Sequence, residues 1–76
     1  MRSLAEMTPA EVDKRVISSR RLLAECRMMP TPDNAARMAT EIGILESLRR
    51  TAPESKRDKI ARLIAAYMDA LPPPVT

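Results

Sequence analysis

The 76-residue chain has no histidine, phenylalanine or tryptophan, and it has one cysteine, one glycine and one tyrosine. Without histidine, it lacks the side chain that most often serves as a general base or a metal ligand. A single cysteine excludes an intrachain disulfide and, in the absence of histidine, a structural zinc site. One glycine cannot form a phosphate-binding loop. We therefore expect no catalytic residue, no metal site and no cofactor, and we do not expect an enzyme.

The scarcity of aromatic residues limits the core that this chain can build. Tyr67 is the only one, so the core must consist of Leu, Ile, Val, Met and Ala. A chain of this length buries only about 60% of the surface that it exposes when unfolded, which leaves it marginally stable. Association is the remaining means of stabilisation, so the sequence favours a homodimer or a complex with another protein.

Proline divides the chain into three segments, and the low content of glycine and β-branched residues favours helix in each. A threonine lies one or two residues before a proline in three helix-start signals, at Thr8, Thr31 and Thr51. Each hydroxyl can accept a hydrogen bond from a first-turn N–H group. We therefore predict an N-terminal extension (1–7), three helices (9–28, 32–50 and 53–71) and a proline-rich tail (72–76).

The predicted fold is a single all-α domain, an antiparallel helical hairpin followed by a third amphipathic helix. The hairpin is expected because the turn between the first two helices is short. The third helix carries a regular apolar stripe that includes Ile60, Ile64 and Tyr67. We expect this small three-helix protein to dimerise through faces of its first two helices.

Individual residues of the first two helices support more specific expectations. Cys26 lies on a core stripe and is expected to act as a small buried hydrophobe. Glu41 and Glu46 are interpreted as solvated charges, because basic residues lie close by in the chain. Gly43 costs about 1 kcal/mol relative to alanine in a helix interior. Together with Ala39, four residues earlier, it predicts an edge where another helix packs closely.

Basic residues are most concentrated around the junction of the second and third helices. The formal charge is only +3, and both signs are interspersed along the chain. Six basic side chains nevertheless form a run that could meet phosphates: Arg49, Arg50, Lys56, Arg57, Lys59 and Arg62. The aromatic and amide side chains that contact bases are almost missing. A small basic nucleic-acid-binding transcriptional regulator is therefore the alternative function.

Apolar side chains remain unassigned after each helix has been given a core stripe. Methionine, with six residues, adapts to irregular partner surfaces, and arginine is enriched at protein interfaces. The candidate partner-binding residues are Ile17, Arg20, Arg21, Met28 and Ile44. They favour a non-catalytic protein–protein interaction module, a small inhibitor, anti-activator or adaptor that binds and modulates another protein through a helical face. A second alternative is a structural subunit of a larger assembly.

The sequence also bears on location. Residues 1–7 contain no apolar signal-peptide core, and no apolar run is long enough to span a bilayer. One unpaired cysteine is best tolerated in a reducing compartment. We therefore expect a cytoplasmic protein with no membrane association.

Overall fold

Three α-helices account for nearly all of residues 8–71, the part of the chain that the computed structural model describes. They are α1 (Pro9–Met28), α2 (Pro32–Thr51) and α3 (Glu54–Ala70). No strand occurs between residues 8 and 71, so the predicted all-α, three-helix architecture is confirmed. The predicted N-terminal extension and proline-rich tail lie outside the described residues.

Threonine hydroxyls cap the first two helices. The hydroxyl of Thr8 accepts a hydrogen bond from the Glu11 N–H at 3.2 Å, and that of Thr31 accepts one from the Asn34 N–H at 3.2 Å. A proline occupies the first helical position in both, where its missing N–H removes no helical hydrogen bond. Both helices therefore begin where the local sequence predicts.

The third threonine does not cap α3, and the expectation that it would is wrong. Thr51 is the last residue of α2, and its hydroxyl donates to the Leu48 carbonyl at 3.3 Å. The Ala52 N–H also bonds to the Leu48 carbonyl, so the hydrogen bonding of α2 continues past the threonine. Pro53 takes the N-cap position of α3 and provides no side-chain cap.

The hydrophobic core lies between the three helices, each of which contacts the other two. It contains residues from every helix and from the α2–α3 connection: Val12, Val16, Leu23, Cys26, Met38, Leu45, Leu48, Ala52, Ile60, Leu63, Ile64 and Tyr67. Cys26 is 1% exposed, as its predicted position on the core side of α1 implies. Tyr67 is the largest fully buried side chain, so the only aromatic residue lies at the centre of the packing.

Two polar contacts cross this core. The Tyr67 hydroxyl donates to the backbone carbonyl of Ser19 and accepts from the Ser19 hydroxyl at 3.0 Å. The carboxylate of Glu41 accepts two hydrogen bonds from Arg15, at 2.7 and 3.1 Å. Glu41 is only 5% exposed, so its interpretation as a solvated charge is wrong. Its position three residues after Met38, on the buried stripe of α2, is the sequence feature that could have indicated burial.

Gly43 and Ala39 do not mark a close helix contact. Both residues are exposed, and a Cβ atom added to Gly43 would meet no atom within 4 Å. The prediction that another helix packs closely at this edge is therefore wrong for the contacts among residues 8–71. No packing within the described fold requires a glycine in this helix interior.

The Gly43→Ala substitution should raise the free energy of unfolding by about 1 kcal/mol, because alanine restricts the unfolded chain and favours helix. The measurement is urea unfolding followed by far-UV circular dichroism. Ala39→Gly, one turn earlier at another exposed position, should lower stability by a similar amount. A loss of stability in Gly43→Ala would contradict the open surroundings of this residue.

Candidate functional site

An exposed stripe runs along α1 and is called the α1 stripe here: Ile17, Arg21, Ala24 and Met28. Its members are spaced by four, three and four residues, so they share one side of the helix. Ile17 is 51% exposed and Met28 is 84% exposed. All four side chains face solvent rather than the core. The first helix therefore presents two large apolar side chains and an arginine that no part of the described fold covers.

The candidate partner-binding residues do not form one patch. Ile44, 43% exposed on α2, follows Glu41 by three positions, and Glu41 is bonded to Arg15 of α1. Ile17 follows Asp13 by four positions, and Asp13 is bonded to lysines of α3. Helical periodicity thus places Ile17 toward the side of α1 that faces α3, whereas Ile44 lies beside the side of α1 that faces α2. The other three candidates, on α1, lie nearer to Ile17.

Between α1 and α3 lies a surface depression of about 400 Å³, called the α1–α3 groove here. Leu23, Leu63 and Ala66 give it an apolar floor. The remaining lining residues are polar or charged: Arg20, Ser55, Asp58, Lys59 and Arg62. The groove brings together Arg20, a predicted partner-binding residue, with Lys59 and Arg62, two of the predicted nucleic-acid-binding residues. These residues come together only because α1 packs against α3, so no local sequence pattern indicates that they share a site.

Acidic residues lie close to several of the cations near this groove. Lys56 Nζ and Lys59 Nζ lie 3.1 and 3.3 Å from one carboxylate oxygen of Asp13. The hydrogen bonds from Lys56 and then from Lys59 hold the pKa of the Asp13 carboxyl below its usual value. Arg62 pairs with Asp58 at 3.0 Å. Asp13 thus ties the first turns of α1 to those of α3, beside the groove.

The basic run at the α2–α3 junction is largely engaged within the chain. Besides the pairs of Lys56, Lys59 and Arg62, Arg50 donates to the Ser47 hydroxyl, and Arg57 donates to a backbone carbonyl. Among residues 8–71, only Arg49 of this run makes no side-chain hydrogen bond or ion pair. The ion pairs with Asp13 and Asp58 offset part of the charge of the run, whereas the hydrogen bonds of Arg50 and Arg57 to neutral acceptors leave their charges in place.

A second depression, of about 490 Å³, lies where the end of α1 meets the start of α2 and the end of α3. Cys26, Met38 and Ala70 are among its lining residues, together with Pro30 of the α1–α2 connection and Pro32, the first residue of α2. Arg27 is its one charged residue. The depression is therefore mainly apolar, and it holds no grouping of acids or bases that would support chemistry.

Comparison of the chain with models of known protein families, with curated proteins and with solved structures gives no match. Within residues 8–71, no three His, Cys, Asp or Glu side chains lie together as a metal site would require. None of the helices formed by these residues is long and apolar enough to cross a membrane. The α1 stripe and the α1–α3 groove are candidate binding surfaces.

Proposed function

We propose that this protein is a non-catalytic interaction module. It binds another protein through the exposed side of α1 and modulates that partner, as a small inhibitor, anti-activator or adaptor does. The observation that carries the proposal is the exposure of Ile17 and Met28 on one side of a well-formed helix. Covering such side chains contributes about 25 cal/mol per Å² of apolar surface. A helical face with apolar anchors is a recurring mode of protein recognition.

Arginine side chains next to these anchors support a protein partner. Arg20 and Arg21 are exposed and follow Ile17 along the helix. Arginine binds carboxylates through two parallel hydrogen bonds, stacks on other side chains and is enriched at interfaces. Apolar anchors with adjacent arginines therefore suit a partner surface that offers apolar pockets and acidic residues.

Nucleic-acid binding has less support from the same surface. Tyr67, the only aromatic residue in the sequence, is fully buried and cannot stack on a base. Phosphates and sugars would also leave Ile17 and Met28 uncovered. A protein partner accounts for both the apolar and the charged features of α1.

We further infer that α1 and α2 form an antiparallel hairpin and that two copies associate through their faces. The order of the ion pairs supports the hairpin: Arg15 meets Glu41, whereas Glu25, later in α1, lies 4.0 Å from Arg37, earlier in α2. The exposed Ile44 offers a second copy an apolar contact. We propose a cytoplasmic location, where the free thiol of Cys26 stays reduced.

The Ile17→Asp substitution should reduce partner binding at least about tenfold, because a charged carboxylate replaces an apolar anchor at the interface. The measurement is affinity purification from the native cell with nuclease treatment, followed by quantitative mass spectrometry. Helical content and the unfolding midpoint should stay unchanged, because Ile17 lies outside the core.

Met68→Asp is the matched control, because Met68 of α3 is 53% exposed, close to the exposure of Ile17, and lies outside the α1 stripe. It should retain the partner. Light scattering on Ile44→Asp tests the dimer separately and should report a monomer. If Ile17→Asp unfolds the protein, the assignment of Ile17 to a binding surface is wrong. If the captured material disappears on nuclease treatment, the nucleic-acid alternative replaces the proposal.

A further inference from the structure

We propose that the α1–α3 groove binds an acidic amphipathic helix of the partner protein. The inference rests on the proposed function and specifies the chemistry of the partner. Arg20 of α1 stands across an apolar floor from Lys59 and Arg62 of α3. An apolar floor between two basic rims is complementary to a helix with one apolar side and acidic residues along both of its edges.

The two sides of the groove differ in length: Arg20 and Leu23 are the only lining residues from α1, whereas those from α3 span about three turns. Its lining on α3 extends from Ser55 to Ala66, a length of about 16 Å at 1.5 Å per residue. That length matches about three turns of a docked helix, which would place apolar anchors at positions i, i+3 or i+4, and i+7. Leu23 and Leu63 form the floor that such anchors would contact.

The charges on the rims favour an acidic occupant. The lining contains three cations and one carboxylate, that of Asp58, which gives a net charge of +2. Arg20 makes no side-chain hydrogen bond or ion pair with any residue between 8 and 71, and it is exposed. The side chains of Lys59 and Arg62 are 41% and 82% exposed, so both can reach a ligand despite their acidic neighbours. Their existing surface pairs are weak enough to exchange for a partner carboxylate.

The apolar floor favours a protein over a nucleic acid as the occupant. A phosphate backbone offers no apolar group to cover the two leucines, and the groove lining contains no aromatic side chain on which a base could stack. The groove is also continuous with the α1 stripe, because Ile17 precedes Arg20 by three residues on the same helix. A helix lying in the groove would therefore extend the proposed binding surface.

The test is a titration of the ¹⁵N-labelled protein followed by NMR. The probe is a synthetic peptide of about 14 residues, with leucines at positions i, i+4 and i+7 and glutamates on both edges. Shift changes should be confined to the residues that line the groove. Arg20→Glu should weaken binding about tenfold, since it replaces an attraction with a repulsion. Arg37→Glu, an equal charge change on exposed α2 surface away from the groove, should change the affinity less than about twofold.

Four results would each overturn the inference. The first is that a peptide of the same composition in scrambled order binds as tightly, and the second is that a version with lysine in place of glutamate does so. The other two concern the protein variant and the DNA control. Arg20→Glu would bind the probe like the unmodified protein. A DNA duplex, and not the acidic peptide, would shift the groove residues, and a phosphate ligand would then replace the helix.

Capture of the native partner separates this inference from the proposed function. Arg20→Glu should lose the partner as Ile17→Asp does, whereas Arg37→Glu should retain it. If Ile17→Asp loses the partner and Arg20→Glu keeps it, the groove inference is overturned and the proposed function stands. If the unmodified protein captures no partner, the proposed function fails, and specific peptide binding in the groove would still support the assignment of the groove.

Discussion

Replacing Arg15 with alanine should lower the free energy of unfolding by about 3 kcal/mol, because it leaves the carboxylate of Glu41 buried without its partner. Glu41 is 5% exposed and accepts both of its hydrogen bonds across the helix interface from Arg15. The Arg15 side chain is 39% exposed, so water reaches one end of the pair. The expected loss therefore lies at the low end of the range for buried pairs. Urea unfolding followed by far-UV circular dichroism measures it.

The matched variant Glu41→Leu should cost less than about 1 kcal/mol or even stabilise the protein, because an apolar side chain avoids the desolvation of the carboxylate. Leucine would lie between Met38 and Leu45 on the buried stripe of α2. The double variant Arg15→Ala/Glu41→Leu should resemble Glu41→Leu, since no buried charge then remains. An equal loss in both single variants would contradict this asymmetry and show that the ion pair itself stabilises the fold.

Glu41 also shows why sequence reasoning failed at the one buried charge of α2. Its spacing from Met38 and Leu45 places it on the core stripe, yet charged residues are rarely buried without a partner. The partner is Arg15, which is 26 residues away in the chain. Only the packing of α1 against α2 brings the two together, so the local pattern places Glu41 on the core stripe but does not show the partner that allows its burial.

Helix starts could be predicted where local chemistry decides them, as the caps of Thr8 and Thr31 show. Thr51 carries a similar signal but ends α2, because hydrogen bonding along the preceding helix continues to Ala52. The prediction of a close helix contact at Gly43 failed for a related reason. Its helix propensity is a local property, whereas close packing depends on a neighbouring helix that is not there.

The candidate site also has one part that could be predicted from the sequence and one part that could not. The exposure of Ile17 and Met28 follows from their positions off the core stripe of α1, which periodicity alone identifies. The groove could not be predicted from periodicity. Arg20 and Arg62 come from different helices, and they line one depression only because α1 packs against α3. Sequence could thus indicate that α1 has an outward face, but not the basic depression beside it.

The Tyr67→Phe substitution should lower the free energy of unfolding by about 2 kcal/mol, because it removes a fully buried hydroxyl that bonds to Ser19. Phenylalanine keeps the ring, so the loss reports the hydrogen bonds rather than the packing. Ser19, 1% exposed, would keep a buried hydroxyl without this partner. Adding Ser19→Ala should therefore cost less in the Tyr67→Phe background than in the unmodified protein. Equal costs would show that the two hydroxyls are not coupled.

The same hydroxyl makes stability depend on alkaline pH. Burial raises the pKa of Tyr67 above its ordinary value of about 10, although the Ser19 hydrogen bond partly opposes the shift. Because the pKa is higher in the folded state, the stabilisation is complete below about pH 10 and is lost as pH rises through the folded-state value. Tyr67→Phe should lack this dependence, so the stability of the unmodified protein should fall toward that of the variant at high pH. As Tyr67 is the only tyrosine, its ultraviolet absorbance reports the titration directly. Tyrosinate forming at the ordinary pKa in the folded protein would contradict a buried hydroxyl.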